Sequence, residues 1–321
     1  MRKEVLKFFL LIFSYIDKLN NFIFFNKIKK LPEVLPISLV DIGSSYDIQP
    51  RWKKIKKILN YHGFEPNSDL HEDLKNKNND CSSYNIYPYL ISDEEGKKKL
   101  NICKNPGVSS ILKPNNNFLS KFRDSKRFEI IKEVELKSNF LDNLNLKNID
   151  FIKVDIQGAE LKALNGAKET LKDVIGMEIE VEFQKMYEDQ VLFGEINDFV
   201  CKNNFEFIDF PIIKRWERKN NNSFGQIIFA DALYLRTPEF ANDNFDASKM
   251  IKYIIILILY NKFDLIKICE LNKFFSKDEI HKIEKIIKFF KRKDYVVRCV
   301  ASISTGFSKI FGNEYKSHLF H

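Results

Sequence analysis

Two tracts of this chain run from an apolar stretch into an acid and a glycine. Ile37-Ser-Leu-Val-Asp-Ile-Gly43 does so first. Ile149-Asp-Phe-Ile-Lys-Val-Asp155 does so again, turning at Ile156-Gln-Gly158 into helix-forming residues from Ala159 to Leu171. A short apolar run bounded by a glycine turn reads as a buried strand. A buried strand that turns directly into a helix is the repeating unit of sheets covered by helices on both faces. Other stretches continue the alternation. Trp52, Ile55, Ile58 and Leu59 have helical spacing within residues 50–60, a second strand is expected at Tyr61–Glu65, and a third at 85–92 before a turn at Asp93–Gly96. A strand over Val174–Phe183, a helix over 193–203 and strands at 205–210 and 225–235 follow. The expected fold is α/β, a doubly wound, mostly parallel sheet. The last two strands lack a helical spacer, so an antiparallel edge hairpin is expected.

The remaining segments set the domain organisation. Residues 97–135 are polar and carry Pro106-Gly107 and Pro114-Asn-Asn-Asn117, which predicts a long loop region with at most one helix. Residues 241–321 are helical and Lys-rich, which predicts a C-terminal helical module. The divisions are therefore 1–36, an N-terminal helical segment; 37–240, the α/β domain; and 241–321, the helical extension. Phe8–Ile16 is an apolar run behind a basic start, but Asp17 and Lys18 interrupt it and no small-residue cleavage site follows. It reads as a helix lying on the protein or on a membrane surface, and it is far short of the roughly 20 residues that span a bilayer. Ile254–Tyr260 is also too short to span and reads as a buried helix.

With 44% hydrophobic and 30% charged residues, wholesale disorder is excluded. The net charge of +8 is a mild basic excess, which permits anionic partners without marking nucleic acid. The cysteines form no CxxC pair and the histidines no HExxH, so no structural zinc, disulfide framework or zincin site is expected and a reducing cytoplasm fits. Ile280, Ile283, Ile286, Ile287 and Phe290 recur at helical spacing among lysines. That basic amphipathic helix either packs its apolar stripe inside the protein or contacts anionic lipid or a lipid-linked glycan at a membrane periphery.

Ligands of doubly wound sheets sit beyond the carboxyl ends of the strands. Four such ends carry acid or glycine here: Asp41-Ile-Gly43, Glu65-Pro66, Ser92-Asp93 and Asp155-Ile-Gln-Gly158. An acid after the second strand can accept both hydroxyl hydrogens of a ribose. The first loop lacks GxGxxG, and Asp41 and Asp47 would repel a pyrophosphate, which wants bare amides and a helix dipole. An acid-bearing loop suits a cationic, nucleoside-containing cofactor such as S-adenosyl-L-methionine. Asp155 is a candidate base or metal ligand; the alternative is that it caps the following helix. Glu178, Glu180 and Glu182 alternate on one strand and so share a face. Either that face meets solvent near an acceptor, with Glu180 and Glu182 on the acceptor side, or the three pair with lysines. Gln226 and Asp231 are weaker candidates. Ser109 and Ser110 either close over the site or lie in a solvated loop, and His62 reads as structural.

These residues together resemble the FkbM family of class I S-adenosylmethionine-dependent methyltransferases. The resemblance rests on Val40-Asp-Ile-Gly43, Gly63-Phe-Glu-Pro66, Ile149–Leu161 with Leu164-Asn-Gly-Ala167, and Glu180-Val-Glu182, and it covers about residues 37–236. It implies a Rossmann-like fold with Asp41, Gly43 and Ser44 at the methionine end of the cofactor and Glu65 on its ribose. Ser92 and Asp93 would lie near adenine, and Asp155, Gln157, Gly158 and Glu160 would border the reacting methyl. It also implies methyl transfer to a hydroxyl of a sugar, glycan or natural product in surface polysaccharide biosynthesis. Gln157 replaces the family's commoner Glu, and Asp47 stands where the cofactor loop usually has glycine. The alternatives are a cofactor-binding or scaffold protein without transfer activity and, with less support, an RNA methyltransferase. No aromatic-lined basic groove or base-flipping motif argues for nucleic acid.

Overall fold

The computed structural model describes residues 18–45, 47–77, 80–219 and 224–310. These fall into two compact units, one within residues 36–49 and 56–237, the other within residues 18–35, 50–55 and 238–310.

The first unit is the α/β body. Its strands are β1 (Ile37–Ile42), β2 (Leu59–Phe64), β3 (Ser83–Tyr87), β4 (Leu90–Ile91), β5 (Gly96–Cys103), β6 (Ile130–Asn139), β7 (Phe151–Val154), β8 (Gly176–Glu182), β9 (Glu206–Trp216) and β10 (Gln226–Leu235). Seven form one sheet in the order β3-β2-β1-β7-β8-β10-β9. The first five of these are parallel, and β10 runs antiparallel to both β8 and β9. The edge hairpin forms as expected, with β10 as its inner strand. From β1 the chain leads outward to β2 and β3; from β7 it leads the other way to β8. The strand order therefore reverses between β1 and β7, and the loops leaving these two strands diverge to open a crevice.

Alternation along the central strands explains the core. Val40, Ile42, Ile152, Val154, Met177, Ile179 and Val181 form one continuous apolar face. Each such fully buried side chain is worth about 1.5–3 kcal/mol. The opposite face carries Asp41, Lys153 and Glu178 side by side, because β1, β7 and β8 align them in register. One buried cation, Arg236, ties the helix ends beneath the sheet. Its guanidinium donates to the carbonyls of Leu171, Lys172, Val174, Asn203 and Asn204 at 2.7–3.3 Å and stacks over Phe205. Burial pushes its pKa down to about 10.

Several expectations are corrected. Residues 97–135 are not mainly loop: β5 and β6 pair there and, with β4, make a second, three-stranded sheet. β6 is exposed along most of its length, paired with β5 through its backbone ladder and decorated by cross-strand ion pairs such as Lys97–Glu135 and Lys99–Glu133, so its sequence shows no buried alternation. The expected strand 85–92 is two strands in different sheets, because Pro88 cannot donate to a ladder. The expected helix 159–171 is two short helices, Glu160–Asn165 and Thr170–Asp173. They break at Gly166, where a Cβ would lie 2.1 Å from the Ser92 carbonyl oxygen. The helix expected over 50–60 is only Pro50–Lys53 plus a single 3-10 turn, since Leu59 already opens β2.

The second unit is helical. Asp246 caps its central helix, Ala247–Leu259, by accepting from the Lys249 amide at 2.7 Å, and every residue from Tyr253 to Leu259 is buried. In the long helix Lys277–Ile310, Ile283, Ile286 and Phe290 are buried while Lys282, Lys285, Lys288, Lys291 and Arg292 are exposed. Phe290 packs at 4.6 Å on Phe24, so the apolar stripe serves internal packing. No helix among the described residues is long and apolar enough to cross a membrane. The N-terminal run Phe8–Ile16 lies outside the described residues.

Candidate active site

The crevice at the reversal point is a cleft of about 240 Å³. The end of β1 supplies Asp41, Gly43 and Ser44, the end of β2 supplies Glu65, and the turn after β7 supplies Asp155 and Gln157. Gly43 is required by close approach: its φ is 91°, and a Cβ would lie 1.9 Å from the Asp155 carbonyl oxygen. The two diagnostic turns thus touch, and this brings Asp41 and Asp155 to one lysine. Lys153 Nζ lies 3.4 Å from Asp41 Oδ1 and 3.5 Å from Asp155 Oδ2. Burial alone would lower the Lys153 pKa, but Asp41, Asp155, Asp231 and Glu178 outweigh it and hold the ammonium charged. Tyr61 donates to Asp41 Oδ2 at 2.7 Å, so Asp41 is fixed from both sides.

Glu65 is buried, and its Oε1 accepts from the Asn67 amide at 2.8 Å. Burial pushes its pKa up, with the hydrogen bonds from Asn67 and Ser45 opposing. Four carboxylates, Asp41, Asp47, Glu65 and Asp155, line the cleft against one lysine among the described residues. The cleft is acidic overall and has an apolar wall of Tyr89, Leu90 and Ile91. Such a donor set fits a ligand with positive charge, ribose hydroxyls and a flat apolar base. Asp47 is not among the residues with positive φ, so its place in the loop needs no glycine, and its Oδ1 accepts from the Ile48 amide.

Residues 44–207, just over half of the 321, match the methyltransferase FkbM domain. The chain belongs to the FkbM methyltransferase family. A solved methyltransferase FkbM from Methylobacillus flagellatus KT aligns over 65% of this chain and 47% of its own, at 15% identity and a TM-score of 0.37. This chain therefore spans about half that protein's length. Precorrin-6y C5,15-methyltransferase from Geobacter metallireducens GS-15 aligns over 65% of this chain and 86% of its own, at 9% identity and a TM-score of 0.30. No curated protein matches.

Within this FkbM domain the family's DxEGxE stretch, here Asp155-Ile-Gln-Gly-Ala-Glu160, is a compact hydrogen-bonded knot. Gln157 sits at φ 58° and its Nε2 donates to Asp155 Oδ1 at 2.9 Å and to both Glu180 oxygens at 3.2 Å. Its Oε1 accepts from Tyr187 and its carbonyl from Ser110. The amide that replaces the family's carboxylate thus donates hydrogen bonds into a cluster of acids. Burial raises the Glu180 pKa well above its ordinary value, and Asp155 adds to this. Asp155 moves the other way: burial opposes its charge, but Lys153 and hydrogen bonds from Glu180 and Gln157 outweigh it. Of the two, Glu180 is the more readily protonated. Glu160 accepts from the amides of Ile156 and Gly158, and burial pushes its pKa up to about 7.

The structure does not bring all the expected residues to the cleft. The face bearing Glu178, Glu180 and Glu182 does not meet solvent, as all three are buried. Glu178 accepts from Gln49 and lies beside Lys153, and Glu182 is fully buried, with burial and the neighbouring Glu160 holding its pKa well up. Ser92 and Asp93 bond to each other, Asp93 lies 3.9 Å from Lys162, and neither lines the cleft. Gly158 packs on Gln190 and is likewise off the wall. Ser109 and Ser110 do line it. Gln226 accepts from Arg218, Asp231 lies opposite Glu180, and His62 stacks on Tyr87 in β2.

Sequence reasoning missed a second cavity, also about 240 Å³, whose wall shares Asp155 and Gln157 with the first. Beyond this partition it is lined by Glu180, Arg127, Trp216 and Phe229. Arg127 and Trp216 come from segments with no motif, so nothing in their local sequence singles them out.

Proposed function

We propose that the protein is an S-adenosylmethionine-dependent O-methyltransferase acting on a hydroxyl of a sugar or glycan. The observation that carries this reading is the meeting of Asp41, Glu65 and Asp155 in one acidic cleft at the strand-order reversal. In this reading Asp41, Gly43 and Ser44 hold the methionine end of the cofactor and Glu65 holds its ribose hydroxyls. When bound, S-adenosylmethionine supplies an electrophilic methyl group activated by its sulfonium charge. Asp155 and Gln157 stand between the two cavities, which supports donor binding on one side and acceptor binding on the other. Alignment across such a partition is the larger part of the rate enhancement for a displacement. Asp155, kept ionised by Lys153, takes the proton that the acceptor hydroxyl gives up. Glu180, whose pKa burial and Asp155 raise, hydrogen-bonds Asp155 in its protonated form and fixes its orientation.

The test is transfer of a labelled methyl group to neutral and anionic sugar acceptors by the wild type and by Asp155→Asn. The expected result is labelling that falls about 10²-fold or more in the variant. A wild type that binds the cofactor yet labels no hydroxyl acceptor would favour a binding protein without transfer activity.

A further inference from the structure

The second cavity contains a half-buried cation, Arg127. The Arg127 guanidinium lies 4.7 Å from the Trp216 ring centre and 4.9 Å from that of Phe128. Its Nε is buried without a hydrogen-bond partner, and Arg127 makes no ion pair among the described residues. Burial lowers its pKa, and the nearby Asp124 and Glu180 oppose this without forming an ion pair with it among the described residues. Asp155 is engaged by Lys153 and Gln157, and both Glu180 oxygens accept from Gln157. Among the described residues, Arg127 is the only basic one on that wall. A half-buried guanidinium facing aromatic rings is costly to leave unpaired, and its planar fork of donors matches a carboxylate or phosphate.

Resting on the methyltransferase reading above, we propose that this cavity takes an anionic sugar as the acceptor. Its ring lies along the Trp216 and Phe229 wall, its carboxylate or phosphate pairs with Arg127, and one of its hydroxyls reaches Asp155. Arg127 is then a specificity-determining residue: it selects among sugars by charge and does not touch the donor cleft.

The test is titration calorimetry on protein saturated with S-adenosylhomocysteine, the demethylated product, whose own binding is measured first. Three probes follow: methyl glucuronide, glucose 1-phosphate and methyl glucoside. At least one anionic probe should bind about tenfold or more tighter than the neutral one, the scale of a charge-assisted hydrogen bond. The tighter of the two distinguishes a carboxylate from a phosphate. Arg127→Gln should erase the preference without changing product affinity, and Arg127→Lys should retain part of it. Equal affinity for all three probes, no binding of any, or a preference that survives in Arg127→Gln would each overturn the proposal. The wild-type comparison decides it even where the variants do not fold. Absence of product binding in the first step would instead remove the methyltransferase reading, and the proposal with it.

Discussion

Glu160→Gln should change how stability depends on pH. Glu160 is fully buried, its Oε1 accepts from two amides, and its Oε2 has no partner. Burial raises its pKa from the ordinary 4.5 to about 7 in the folded chain. The folded state then binds more protons than the unfolded state between these values. Its contribution is fully present below pH 4.5 and is lost as pH rises through 7. A difference of about 2.5 in pKa corresponds to on the order of 3 kcal/mol by pH 8. Glu180 and Glu182, also raised, act in the same sense. Glutamine keeps the oxygen that accepts from Ile156 and Gly158 but cannot ionise. In urea titrations the variant should match the wild type within about 1 kcal/mol at pH 5 and exceed it by about 3 kcal/mol at pH 8. Parallel profiles for the two proteins, or a wild type more stable at pH 8 than at pH 5, would refute the assignment of a buried protonated Glu160.

Three further predictions come from the same geometry. Gln157→Glu places a carboxylate where an amide donates to Asp155 and Glu180, and should cost about 1–3 kcal/mol at pH 8 and less at pH 5, read by urea titration. Gly43→Ala forces a Cβ into the Asp155 carbonyl, so thermal melts with and without S-adenosylhomocysteine should show either unfolding or an affinity loss of about tenfold or more. Arg236→Lys loses the planar fork that donates to five carbonyls and should cost about 3 kcal/mol in denaturation, with ligand affinity unchanged because Arg236 is remote from the cleft.

The main sheet was legible because its central strands are buried on both faces and end in turns with strict steric demands. Gly43 and the Asp155 turn announce each other through the 1.9 Å approach, so both appear in the sequence as acid–glycine signatures. The second sheet was not legible. Its strand β6 is mostly exposed, carries ion pairs such as Lys99–Glu133 and pairs through backbone groups, and a polar strand of this kind looks like loop. The β8 carboxylates were read correctly as sharing a face, but their burial was not foreseen. The groups that make burial tolerable, Lys153 from β7, Gln157 and shared protons, come from other segments or from protonation rather than from local composition. Arg127 and Trp216 meet only through the tertiary fold, so the second cavity left no local trace.

The central claim is that the cleft of Asp41, Glu65 and Asp155 holds S-adenosylmethionine. Titration calorimetry of the cofactor and its demethylated product against the wild type and Glu65→Ala tests it most directly. The account predicts micromolar binding of both compounds, lost in the variant while its melting transition remains cooperative. Binding absent in the wild type, or untouched by Glu65→Ala, would contradict it.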